Sequence, residues 1–160
     1  LLLGKASGLC SECSIELGGK CFTAPFTPSP LTKAECEAVK GKLGIKGCRE
    51  ERDYWAGAVK QCGGVSKMPT ADDLAKLATE LYKGNPTVGA NQRVDAELDT
   101  SKASSLGFPG TSFHVWAGEE FNNGYASARV FYWYTHSSYT YWWAYGGRGI
   151  SVGQAVCSGD

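Results

Sequence analysis

The chain has 160 residues, 42% of them hydrophobic, and its 16 basic and 16 acidic residues give a net charge of zero. That length makes one domain with a real core. A neutral chain has neither the basic field of a nucleic-acid binder nor a charge-driven affinity for anionic membranes, and no apolar run approaches the ~20 residues that span a bilayer. It opens Leu1-Leu2-Leu3 without an initiator Met, which reads as a fragment from which a signal peptide or N-terminal anchor has been removed.

Residues 1–30 read as an irregular, Cys-rich segment. Gly18-Gly19, Pro25, Pro28 and Pro30 break any period, so only the cysteines pin it. There are seven cysteines, Cys10, Cys13, Cys21, Cys36, Cys48, Cys62 and Cys157. That many thiols in 160 residues points to an oxidising compartment. The rival reading is zinc, with Cys10, Cys13 and Cys21 as thiolates, but no His lies nearby as a fourth ligand. The disulfide reading pairs Cys13–Cys21, Cys36–Cys48 and Cys62–Cys157 and leaves Cys10 over. No metal or cofactor is expected.

A first helix follows Pro30-Leu31-Thr32. Thr32 and Glu35 make an S/T-x-x-E capping box; Ala34, Ala38, Val39 and Leu43 share a face, and Gly44 ends it. A second runs from about Glu50 to Cys62 with a stripe of Tyr54, Trp55, Ala58, Val59 and Cys62, and Gly63-Gly64 stops it. A third starts at Thr70, capped with Asp73, and carries Leu74, Leu77, Ala78, Leu81 and Tyr82 up to Gly84. Residues 85–99 read as a loop, and Thr100 caps a short turn through Leu106.

From Phe113 the period changes to two. Phe113–Trp116, Ala128–Tyr134 and Tyr139–Tyr145 read as strands, the last two joined by Thr135-His136-Ser137-Ser138, and Ser151–Cys157 as a final strand. Helices first and a short antiparallel sheet last make an α+β fold.

The stretch Val115–Cys157 stands out. Phe113 to Tyr145 holds 13 of the 19 aromatic residues, including six of eight tyrosines and four of five tryptophans. Between Phe121 and Cys157 there is no acid, and Arg129 and Arg148 are the charged residues. Tyr has a polar tip and prefers half-wet surfaces. Tyr and Trp mixed with Ser, Gly and Asn is the composition of antibody combining loops, where rigid rings give area and small polar residues adapt. The stretch reads as a binding face on a rigid support.

Three pieces of the chain carry a family resemblance: Lys67-Met68-Pro69-Thr70-Ala71-Asp72-Asp73-Leu74, Val115-Trp116-Ala117-Gly118-Glu119-Glu120 and Gln154-Ala155-Val156-Cys157. Over roughly residues 31–160 the chain resembles variable proteins with a C-type lectin-like fold, diversified by retroelements in bacteria, archaea and their viruses. The resemblance implies a scaffold, secreted or at the cell surface, whose C-terminal variable region (about 121–151) binds diverse protein or glycan ligands. In such systems Asn codons are randomised at their adenines and never become Trp, Gln, Glu, Lys or Met. Tyr125, Tyr132, Tyr134, His136, Ser137, Ser138, Tyr139, Tyr141, Tyr145, Gly147 and Ser151 are then the candidate variable face. Trp116, Trp133, Trp142, Trp143 and Gln154 are scaffold.

Competing readings of the same residues are structural. Glu119 and Glu120 point apart on a strand and lack further oxygen ligands for calcium. Arg129 and Arg148 pair with these acids to fix the sheet. His114 and His136 have no nucleophile at a recognisable spacing, so no enzyme activity is expected. One ring of Trp142-Trp143 faces the core and the other faces away. The alternative function is the globular head of a pilin-like or lipid-anchored surface protein, with the aromatic face on one fixed protein partner.

Overall fold

A computed structural model of the protein describes residues 13–17, 19–90, 92–121, 125, 127–141, 147–149 and 153–159, with 137–141 described by their backbone. The order is β1 (Ile15–Leu17), β2 (Lys20–Phe22), α1 (Lys33–Leu43), α2 (Tyr54–Cys62), α3 (Ala71–Leu81), β3 (Val94–Asp95), α4 (Thr100–Ser105), β4 (Phe113–Phe121), β5 (Ser127–Tyr134), β6 (Ser137–Tyr141) and β7 (Ser158–Gly159). The fold is α+β. A four-stranded antiparallel sheet has the order β3-β6-β5-β4, and a three-stranded sheet the order β1-β2-β7.

Helix ends follow local chemistry. Thr32 with Glu35, and Thr70 with Asp73, form complete capping boxes, and Gly44 and Gly63 close α1 and α2 in left-handed conformations at φ 79° and 96°. The second helix starts later than its apolar pattern suggests. Asp53 is its N-cap and accepts from the Ala56 amide, while the Asp53 backbone pairs with Leu31. The buried face of α1 is also different: Ala34 and Ala38 are exposed, and Cys36 and Leu43 are buried with Val39 packed beside them. The Cys36–Cys48 bridge turns this helix.

The main sheet lies between two apolar clusters. One gathers Leu74, Leu77 and Leu81 of α3 with Phe113, Val115, Phe131 and Trp133. The other gathers Cys36, Trp55, Val59 and Cys62 of α1 and α2 with Trp116, Val130 and Tyr132. Strand β5 is therefore buried on both faces, the reason its sequence runs apolar without alternation.

Three expectations change. Residues 15–22, expected to be irregular, form a hairpin that pairs through β2 with β7, so this segment belongs to the same fold. Val94–Asp95, expected in a loop, is a strand on β6. The chain at Gln154–Ala155 makes isolated bridges to Val115 and Phe26 in place of the expected long last strand.

The disulfides are Cys13–Cys21, Cys36–Cys48 and Cys62–Cys157. The first clips the hairpin, the second braces α1, and the third ties α2 to the C-terminal segment. Cys10 lies outside the described residues.

Candidate functional site

The aromatic face is built on the β5–β6 hairpin. Thr135 and His136 alone turn it, since Tyr134 already pairs with Ser137. Next come Tyr132 opposite Tyr139 and Val130 opposite Tyr141. Directly opposed residues share a sheet face, so Tyr132, Tyr134, Tyr139 and Tyr141 occupy positions of one face, the side of α1 and α2. On the other flank His114 pairs with Tyr132. Its ring meets Tyr132 edge-on at 4.2 Å, and Tyr132 stacks on Tyr134 at 5.8 Å and 12°.

These residues differ in access. His136 is exposed and Tyr134 half-buried. Tyr132 was expected to face solvent, but it is 6% exposed, because the central strand has a core on each side. Gly147, also expected on the open face, is buried in a 3-10 turn, Gly147–Gly149. Tyr125 is half-buried at φ 59°, and its ring lies against the backbone of Gly47, where a Cβ would collide with it. Ser137, Ser138, Tyr139 and Tyr141 are placed by their backbone on β6. Trp142, Trp143, Tyr145 and Ser151 lie outside the described residues.

Where β4 ends there is a set of charged residues, most of them buried. Glu119 and Glu120 leave β4 in different directions. Glu119 accepts from the Ala71 amide at the start of α3 and lies 3.7 Å from Arg129. Glu120 accepts from the amides of Lys46 and Gly47 and from Arg148 at 3.2 Å. Arg148 has a second, closer acid. Its Nη2 and Nε donate to the Asp53 carboxylate at 2.6 and 3.1 Å, its Nη2 also to the Gly47 carbonyl at 3.0 Å, and its guanidinium lies 4.4 Å over the Trp55 ring. Both Arg148 and Asp53 are fully buried. Asp53 was missed as a partner, since its sequence signal is that of an N-cap before Tyr54-Trp55 and the two residues stand 95 positions apart.

The three sequence pieces singled out above meet on β4. The Gly118 amide donates to the Pro69 carbonyl at 2.9 Å, and a Cβ on Gly118 would lie 2.9 Å from the Met68 Cβ. On the outer edge of β4, the Gln154 amide donates to the His114 carbonyl at 2.7 Å and Trp116 donates back to Gln154 at 3.1 Å. The Gln154 side chain reaches Thr27 at 3.4 Å. Trp116 is fully buried between them.

On the other side of the sheet, a groove of about 380 Å³ between β2 and α3 is lined by Phe22, Lys20, Asp73 and Lys76. Its Lys20–Asp73 pair at 3.3 Å joins a half-exposed lysine to the largely buried Asp73 that takes part in the α3 cap. Among the described residues no group of three or more His, Cys, Asp or Glu is placed to hold a metal, and no helix is long and apolar enough to cross a membrane. Compared with family models, curated proteins and solved structures, the chain has no match.

Proposed function

We propose that this chain is a non-enzymatic ligand-binding display protein of C-type lectin-like fold, whose aromatic segment, about 121–151, is diversified by a retroelement and binds protein or glycan ligands. The observation that carries the reading is the convergence on β4. Met68-Pro69-Thr70, Trp116-Ala117-Gly118-Glu119-Glu120 and Gln154 hydrogen-bond to one another there. These are the pieces on which the resemblance rests, and the aromatic hairpin stands on the next two strands. Rigid sheet positions suit a binding constellation better than free loops, and the Tyr-rich composition suits contact with varied surfaces. The face is narrower than the composition suggests: His136, Tyr134 and the β6 positions carry it, and Tyr132 supports it from below. Three disulfides fit a secreted or surface-exposed protein.

The test is the DNA around the coding sequence. The reading expects an imperfect repeat of the part encoding about 121–151, beside a reverse transcriptase gene, with differences confined to adenines of the repeat. A unique coding sequence without such a repeat contradicts diversification and leaves a fixed-partner surface head as the better account.

A further inference from the structure

The chain leaves β6 on one side of β5 and returns at Gln154 on the far edge of β4. It must therefore pass two strands, a span of about three strand spacings or roughly 14 Å. Residues 142–153 make this passage, and a chain of that length extends to roughly 40 Å. Longer connections lose more entropy on closing, so a fixed point along this one shortens the loops that must be closed. Within the passage the described turn is Gly147–Gly149, and its side chain that enters the core is Arg148.

We infer that Arg148 is the positioning residue of the connection from β6 to Gln154: it pins the turn Gly147–Gly149 to three parts of the scaffold and so fixes where this connection crosses. Its guanidinium bonds to three separate parts of the scaffold. They are the N-cap of α2 through Asp53, the 46–47 loop through the Gly47 carbonyl, and the end of β4 through Glu120. The Trp55 ring backs it, and that ring is itself held by its Nε1 donating to the Ala117 carbonyl at 2.8 Å. A planar fork reaches all these partners at once, which a lysine ammonium does not. Among the described residues, one guanidinium, that of Arg148, is hydrogen-bonded to two carboxylates, with the Arg49 guanidinium packed against Gly149 beside it. Those carboxylates also accept from the amides of Ala56, Lys46 and Gly47, the first at the positive end of α2.

A buried ion cluster is a poor source of net stability compared with apolar packing, but it holds one arrangement against others because every wrong one strands a charge. An apolar residue here would have filled the core more simply. The arginine adds orientation, fixed by directional bonds to three elements. The assignment does not rest on the display reading; the anchor itself is measured without a ligand.

The experiment is hydrogen exchange and limited trypsin cleavage of the full, disulfide-intact chain. Arg148 has no exposure, and trypsin must draw an arginine into its own pocket. Wild type should therefore resist cleavage after Arg148. Glu120→Gln turns one acceptor oxygen into an NH2 donor, so one oxygen is left for the donors of Lys46, Gly47 and Arg148, and it leaves the Asp53 fork intact. It should raise exchange about tenfold or more in peptides covering 46–47 and 142–153, leave peptides of α3 and β1–β2 unchanged, and make Arg148 an early cleavage site. Arg148→Lys keeps the charge and should show the same local loss. Unchanged protection in Glu120→Gln, or a loss spread evenly over the chain, overturns the assignment. So does wild-type protection in Arg148→Lys. Should Arg148→Lys fail to fold, Glu120→Gln still decides. The flanking DNA decides the display reading separately, so the two can fail independently.

Discussion

Removing the Cys62–Cys157 bridge should be the most damaging of the three disulfide deletions. The sequence separations are 95, 12 and 8 residues for Cys62–Cys157, Cys36–Cys48 and Cys13–Cys21. The chain-entropy relation gives losses of about 4.7, about 2.8 and about 2.5 kcal/mol in that order at 25 °C. Packing widens the gap. Cys62 and Cys157 are fully buried in the α1–α2 cluster, so truncation to Ala also leaves a void there. Cys13 is exposed, and the hairpin it clips keeps its own pairing to β7. A domain of this size has a total stability of about 5–15 kcal/mol, so Cys62→Ala/Cys157→Ala should bring the chain near its folding threshold. Urea unfolding of the three double variants beside wild type, read as midpoint and slope, measures the order. A Cys13→Ala/Cys21→Ala variant as unstable as Cys62→Ala/Cys157→Ala would refute the view that the long bridge closes the fold.

Trp116→Ala should cost roughly 3–5 kcal/mol in the same assay, since the side chain is fully buried. Tyr82→Phe should cost roughly 1–3 kcal/mol by taking the 2.6 Å hydrogen bond from the Tyr134 carbonyl at the base of the hairpin. Burial holds the Tyr82 hydroxyl proton well above the usual tyrosine range. In the unfolded chain the group ionises near pH ~10. Its contribution is therefore complete below about pH 10 and falls as pH rises beyond it; an alkaline melting series should show a shallower decline in Tyr82→Phe. Millimolar calcium should leave the melting temperature unchanged, and a rise abolished by chelator would show an unrecognised site.

Much of the first two-thirds was legible because its signals are local. Both capping boxes put donor and acceptor three residues apart, and Gly44 and Gly63 end helices for their own conformational reasons. The cysteine count pointed to disulfides with one thiol left over, while which cysteines pair depends on what the fold brings together. What escaped depends on distant partners. The residue 15–22 hairpin looks irregular until β7 pairs with it. Val94–Asp95 is too short to show a period and is a strand only because β6 lies beside it. The reading of Tyr132 as solvent-facing failed because composition cannot say that its side of the sheet is covered by α1 and α2. The Asp53–Arg148 pair joins positions 95 apart; Asp53 fell inside the expected second helix, and Arg148 was read as a partner of Glu119 or Glu120.

The central claim is that the scaffold tolerates change on the aromatic face. The most direct measurement is a display library in which His136, Ser137, Tyr139 and Tyr141 are randomised together, beside one in which Trp116, Val130, Phe131 and Trp133 are randomised. Surface positions away from special backbone sites usually change stability by no more than about 0.5 kcal/mol, whereas each fully buried core position costs several. The first library should keep most members protease-resistant and yield binders to unrelated protein and glycan targets, while the second should lose nearly all folded members. The opposite order of tolerance would contradict the account and place the β6 residues in the core.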